Sequence, residues 1–271
     1  MKSACDDLTI KSSENLNLKM STPVKFKFGF SIQQNLRNSS AFKSFERECC
    51  QFQVVDLSSL SEEEKVLFWC NVYNIFTVHT IIQSPLTTTF TERYNILKAV
   101  KYNIGGNYYN LLDIEHGILR AKSSKPVLFG PFNYTINFSD KDPRKEFVLK
   151  SSWPLISFGL FTASSTSPGL NCLKNAKNIR SELAKCASVF IQDNIKIEKY
   201  SSTFRTGHNI TLPQIIKTYS KDFGESQSDI LSFTSQYVSS SLSIEIKSII
   251  DSGGSFKLIY VPLDWQLYIV L

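Results

Sequence analysis

Between Lys65 and Glu92 the chain carries no Lys, Arg, Asp or Glu. Along KVLFWCNVYNIFTVHTIIQ the apolar residues, taken at 100° per residue, cover almost the whole circumference, the pattern of a helix buried on all sides. Ser61 followed by Glu62, Glu63 and Glu64 supplies an N-cap with acids in the first turn, so the helix is expected to start there. Asn71 and Asn74 fall about 60° apart on the side that also carries Leu67, Val78 and Ile81. A buried amide costs from several tenths to about 3 kcal/mol unless it is hydrogen-bonded. Bonding to the backbone of an adjacent loop is the first reading of these two residues, and a ligand-facing role is the second.

A core of that kind needs chain length around it, and 271 residues with 42% hydrophobic and 20% charged side chains provide it. The composition excludes a disordered or collagen-like chain and fits a globule. The net charge is +6, and residues 1–47 hold eight basic against four acidic side chains. The remainder is nearly neutral, with bases dispersed among acids, so no nucleic-acid partner is expected. Residues 1–40 are rich in Ser, Asn and Lys without a sustained hydrophobic period and read as a weakly ordered N-terminal arm, with the domain running over 41–271. The N-terminus lacks the apolar stretch of a secretory signal, and no transmembrane segment is expected. Cys5, Cys49, Cys50, Cys70, Cys172 and Cys186 show neither a CxxC pair nor zinc-ligand spacing. They read as reduced structural thiols in a cytoplasmic protein.

Further along, Gly105 and Gly106 between two tyrosine-rich runs signal a β-hairpin, because successive glycines permit the positive φ of a tight turn. Asp113 is then placed to cap a helix over 114–120, with His116 near its third position and Arg120 one turn on. A helix N-terminus disfavours imidazolium, so a neutral His116 is expected, able to accept or relay a proton beside Glu115. Residues 121–151 read as a long loop with one or two short strands, NAKNIRSELAKCASVFIQDNI as an amphipathic helix, and IKIEKYSSTFRTGHNITL as strand, turn and strand. Pro213 opens another helix, a further one follows over 229–238, and the chain closes with apolar strands around Asp264 and Trp265. The fold expected is α+β, a mainly helical single domain with a buried central helix, a β-hairpin and a small antiparallel sheet.

The segments FWCNVYNIFTVHTII, YNIGGNYYNLLDIEHGILR, FGLFTASSTSP, LPQIIKTYSKDFG and VPLDWQL, in this order and spacing, resemble the DUF547 family over roughly residues 41–271. The resemblance implies one α+β domain, which the family carries alone or joined to glutaredoxin, DEP-type signalling or coiled-coil segments, and implies no established reaction. It maps recurring polar positions onto Asn71, Tyr73, Asn74, His79, Gly105, Gly106, Asp113, Glu115, His116, Arg120 and Asp264. Two departures stand out. Thr162 and Ser167 occupy positions where many relatives carry cysteines, and Tyr268 stands where the family usually has Asn.

Three functions compete. A hydrolase-like enzyme would gather His116, Glu115, Asn71 and Asp264 into one pocket, with His116 as general acid or base and water as nucleophile. A metal site would need His79, His116, Glu115 and Asp264 brought together by tertiary structure, and neither a metal nor a cofactor is expected. A non-enzymatic interaction or scaffold module, with a protein partner, would use the same polar residues as a buried network. The absent cysteine pair favours this last reading, with His116 and Glu115 as the catalytic candidates of the enzyme alternative and Asn71, Asn74, His79, Asp113, Arg120 and Asp264 as binding candidates.

Overall fold

The computed structural model describes residues 25–27, 29–127, 136–201, 206–265 and 268–270, the strands at 25–27 and 268–270 by their backbone alone. A short strand, β1 (Lys25–Lys27), and two helices, α1 (Phe30–Asn38) and α2 (Ser40–Cys49), lead into the central helix α3 (Glu62–Gln83). Ser61 and Glu64 close the expected cap reciprocally: Ser61 Oγ accepts from the Glu64 N–H at 3.3 Å and the Glu64 carboxylate accepts from the Ser61 N–H at 2.9 Å. Trp69, Val72, Tyr73 and Phe76 of α3 are at most 1% exposed.

The arm expected over residues 1–40 is helical in its last part, while residues 1–24 lie outside the described residues. Helix α1 docks through polar chemistry. The Gln33 amide donates to the Ile81 and Ser84 carbonyls, both at 2.7 Å, and the Arg37 guanidinium donates twice to the Ile82 carbonyl, at 2.7 and 3.2 Å. The last carbonyls of a helix have no partner within it, and a cation suits that end of the helix dipole. Apolar periodicity does not register such a contact, which is why these residues read as a tail. Below them Phe42 packs with Ile82, Phe161 and Ala163 in a small apolar cluster.

Helix α4 (Phe90–Ala99) follows, opened by a reciprocal cap between Thr89 and Glu92. The expected hairpin is β2 (Tyr102–Ile104) and β3 (Asn107–Tyr109), turning on Gly105 at φ +54° and Gly106 at φ +81°. Residues 121–151 contain a 3-10 turn, Pro143–Phe147, and no strand among those described; the FGPFNYT stretch lies outside the described residues. Two helices, α5 (Ile156–Gly159) and α6 (Ile179–Asn194), join two apolar clusters: Ile156 and Leu183 pack with α3, while Phe158, Ala187, Phe190 and Ile191 pack beneath the C-terminal sheet.

That sheet contains β4 (Lys196–Ser201) and β5 (Thr206–Pro213), antiparallel as expected, from Lys196↔Thr211 to Ser201↔Thr206. The chain then forms α7 (Gln214–Thr218), α8 (Gln227–Ser235) and α9 (Ser240–Asp251), of which α9 adds to the helices anticipated. Strand β6 (Phe256–Val261) joins β5 in parallel, from His208↔Phe256 to Pro213↔Val261, so the sheet is mixed. A parallel neighbour needs a crossover, which these three helices supply. Finally β7 (Tyr268–Val270) pairs antiparallel with β1. The fold is α+β and mainly helical.

The hairpin is tied to the segment before α3 by the Gly105 N–H donating to the Phe52 carbonyl at 2.8 Å. A Cβ on Gly105 would lie 2.9 Å from the Val55 carbonyl oxygen, whereas one on Gly106 would meet nothing within 4 Å. Gly106→Ala should therefore cost only the left-handed backbone penalty of about 1–2 kcal/mol. Gly105→Ala should cost about 1 kcal/mol or more beyond that, because of the added clash. Urea unfolding of the two variants checks this, and equal losses would show that the Val55 contact is immaterial.

Candidate functional site

The segment after the hairpin departs from expectation in a way that determines the site. The helix begins at Asn110, three residues before Asp113: the Ile114 N–H donates to the Asn110 carbonyl at 3.2 Å, Asn110 Oδ1 accepts from the Asp113 N–H at 2.8 Å, and the Asp113 carboxylate accepts from the Asn110 N–H at 3.1 Å. Asp113 is thus the third helical residue, also held by Arg144 at 3.3 Å, and Asn110 is the cap. Both residue types cap well, and burying Leu111 and Leu112 in the first turn selects the earlier one. His116 accordingly sits a turn further in than expected, away from the free N–H groups of the helix start.

Beyond the cap, Asp113–Leu119 is π-helical, with the Arg120 N–H donating to the Glu115 carbonyl, five residues back, at 2.8 Å. In an α-helix, residues five apart diverge by about 140°. Fitting one more residue into the turn brings Glu115 and Arg120 toward one face, where π-bulges are frequently functional. Glu115 is 7% exposed, and its two oxygens are both taken: one accepts from the Tyr73 hydroxyl at 3.0 Å and the other from the Tyr219 hydroxyl at 2.6 Å. His116 Nε2 lies 3.9 Å from Glu115, with each side chain 9% exposed. Arg120 stacks over the Tyr219 ring at 3.7 Å, donates to Ser157 Oγ at 2.7 Å, and pairs with Asp222 at 2.5 Å, both side chains of the pair 1% exposed. The other Asp222 oxygen accepts from the Ser124 N–H at 3.0 Å. Burial holds the His116 imidazole below its ordinary value of 6.5, an effect opposed by the Glu115 carboxylate and reinforced by Arg120.

The remaining candidates occupy other parts of the α3 surroundings. Asn71 exchanges two bonds with the Leu173 backbone, at 2.8 and 3.0 Å. The Asn74 amide donates to the Gly159 and Asn171 carbonyls, both at 2.9 Å, and accepts from the Phe161 N–H at 2.8 Å. These two side chains hold both ends of one loop against the helix. His79 stacks on Phe42, places Nδ1 2.9 Å from the Tyr102 hydroxyl and Nε2 3.6 Å from Glu46, and is also held below 6.5 by burial, against the pull of Glu46. Asp264 accepts from Ser165 Oγ through its carboxylate at 2.8 Å and from Ser164 Oγ through its carbonyl at 2.6 Å. Glu115, His116 and Arg120 are therefore brought together, while Asn71, His79 and Asp264 each serve a different seam. Among the described residues no group of three or more His, Cys, Asp or Glu side chains could hold a metal ion.

Tyr219, Asp222 and Ser157 complete the network of Glu115 and Arg120 and, like Arg93 beside residues 162 and 265, carry no local sequence signal. Asp222 meets Arg120 across 102 residues of chain. Arg93, 3% exposed, donates to Thr87 Oγ1 at 2.8 Å, to the Thr162 carbonyl at 3.0 Å and to the Trp265 carbonyl at 3.4 Å. Burial pulls its guanidinium down to about 10, against the influence of Tyr73.

Both imidazoles, lowered in the folded chain, take up protons more readily once unfolded. Their contribution is fully present above about pH 6.5 and declines as the pH falls below it toward the lowered folded values. Unfolding free energy measured from about pH 8 down to about pH 5 should fall below pH 6.5, and His116→Gln should flatten part of that slope. A slope identical in wild type, His79→Gln and His116→Gln would show that neither histidine carries it.

No helix among the described residues is long and apolar enough to cross a membrane. No curated protein and no solved structure matches the chain. Residues 57–191 match the family model described as "Protein of unknown function, DUF547". That region contains α3, the hairpin, the π-helical turn and most of α6, and within it lie Asn71, Asn74, His79, Asp113, Glu115, His116 and Arg120. Over this span the chain belongs to the DUF547 family.

Proposed function

We propose that this protein is a non-enzymatic interaction or scaffold module, and that its buried polar network fixes the hairpin, the π-helical turn and the C-terminal helices against α3 so that a protein partner meets a defined surface. The observation that carries this reading is that the acceptors of the network are taken up, although the buried Arg120 Nε–H has no hydrogen-bond partner among the described residues. Both Glu115 oxygens are occupied by tyrosine hydroxyls and both Asn71 amide atoms by the Leu173 backbone. A general acid or base must reach the proton it moves, directly or through one water. A carboxylate engaged on both oxygens beside a side chain that is 9% exposed suits a structural network better. Buried carboxylates and amides whose atoms are bonded in this way specify one arrangement of a core.

The reading extends to a cytoplasmic setting without a nucleic-acid partner. Cys70 is fully buried, and burial pushes the Cys49 thiol up to about 12, which supports inert structural thiols at these two positions, whereas Cys50 and Cys172 are exposed. One observation favours the alternative, a hydrolase using His116 and water: burial keeps that imidazole neutral next to a carboxylate, as a general base requires.

The two readings separate experimentally. As a structural network, Glu115→Gln should lower stability by about 1–3 kcal/mol, because two buried hydroxyls lose a charged acceptor. Wild type should then show no turnover of ester, amide or phosphoester substrates above buffer. Turnover by wild type that disappears in a folded His116→Gln protein would overturn the scaffold reading.

A further inference from the structure

Two buried arginines in this fold are treated differently. Arg120 has a carboxylate, Asp222, at 2.5 Å. Arg93 is as deeply placed, at 3% exposure, yet among the described residues its three partners are all uncharged: a threonine hydroxyl and two backbone carbonyls. A buried cation without an anion is costly and is ordinarily paired. The nearby Asp264 carboxylate does not pair with it and instead accepts from Ser165 Oγ at 2.8 Å.

The donor inventory is informative. A guanidinium has five N–H groups, and Arg93 commits one from Nε, one from Nη1 and one from Nη2. One N–H on each terminal nitrogen is left over, the number that a carboxylate or phosphate accepts from an arginine fork. The surroundings also differ from ordinary core. Thr162 and Trp265, whose carbonyls face those nitrogens, are only half-buried. The half-buried hydroxyls of Ser165, Thr166 and Ser167 follow directly along the chain. Between Thr162 and Ser164 stands Ala163 at φ +55°, the only residue other than glycine with positive φ among those described. Strain of this kind clusters at ligand clamps, where the surrounding structure over-determines it.

We propose that Arg93 anchors an oxyanion-binding site at the seam between residues 162–167 and 264–265, taking the phosphate or carboxylate group of a small molecule. The site is separate from the Glu115 network and requires no catalysis, so it stands or falls independently of the scaffold reading.

Inorganic phosphate and acetate are the probes, each titrated into the full chain against sodium chloride at matched ionic strength. A ligand that binds the native state alone raises its melting temperature, by about 2–4 °C at ten times its Kd for a chain of this size. The expected result is a rise with one probe beyond the chloride control, the responding probe telling phosphate from carboxylate. Arg93→Lys, which keeps the charge but loses the fork, should weaken that binding at least about tenfold. Binding of equal strength in a cooperatively folded Arg93→Lys protein overturns the proposal, as does the absence of any effect beyond chloride in wild type. Should Arg93→Lys fail to fold, the Arg93 Nε–H resonance of wild type decides: it must move on titration with the responding probe, and a resonance that stays in place overturns the site.

Discussion

The structure depends on burying α3 on every side while keeping its two asparagines satisfied. The uncharged stretch of this helix after Lys65 can be covered all round only if neighbouring segments approach its whole circumference, and such segments bring backbone N–H and carbonyl groups that cannot reach water. Asn71 and Asn74 meet this need by making five bonds, one to the end of α5 at Gly159 and four to the loop between α5 and α6. With that loop held, Phe158 and Leu183 come to rest in two different apolar clusters and link the helical half to the C-terminal sheet. The side chains that look like candidates for chemistry are therefore also those that let an apolar helix accept irregular chain as a neighbour.

Much of this was legible in the sequence, for identifiable reasons. The Ser61 cap, the uncharged run and the paired glycines each have a local cause, so α3 and the hairpin could be placed from residue order alone. The need of Asn71 and Asn74 for backbone partners followed from helical spacing. Other features had no local cause. The π-helical turn leaves no distinct periodicity over seven residues, and Asn110 and Asp113 compete equally for the cap. Asp222 and Tyr219 enter the network from the far side of the fold, more than a hundred residues away. Helix α1 escaped because what docks it is an amide and a guanidinium capping helical carbonyls, contacts that hydrophobic patterning does not register.

The network around Glu115 also shows how the fold accommodates charge in its interior. Arg120 is neutralised by Asp222, lies flat on an aromatic ring and is braced by a serine hydroxyl. Glu115 is met by two phenol hydroxyls, donors that stabilise a carboxylate without adding a charge of their own. Both acids are held by donors from distant parts of the chain, so the arrangement exists only when the whole fold does. Pairing of this type contributes little net stability compared with an apolar core, but breaking one side of it leaves a bare buried charge.

The parallel pairing of β5 and β6 bears on how the chain reaches its native state. An antiparallel neighbour such as β4 is within a short turn of β5, whereas His208 and Phe256 can align only after α7, α8 and α9 have bridged the gap. Closing a longer loop before its contacts repay the lost entropy makes such a ladder a late event. Until then the apolar underside of the sheet, which includes Ile210, Leu212 and Leu258, stays uncovered. The half-built sheet is the species in which this chain would be most prone to associate with itself.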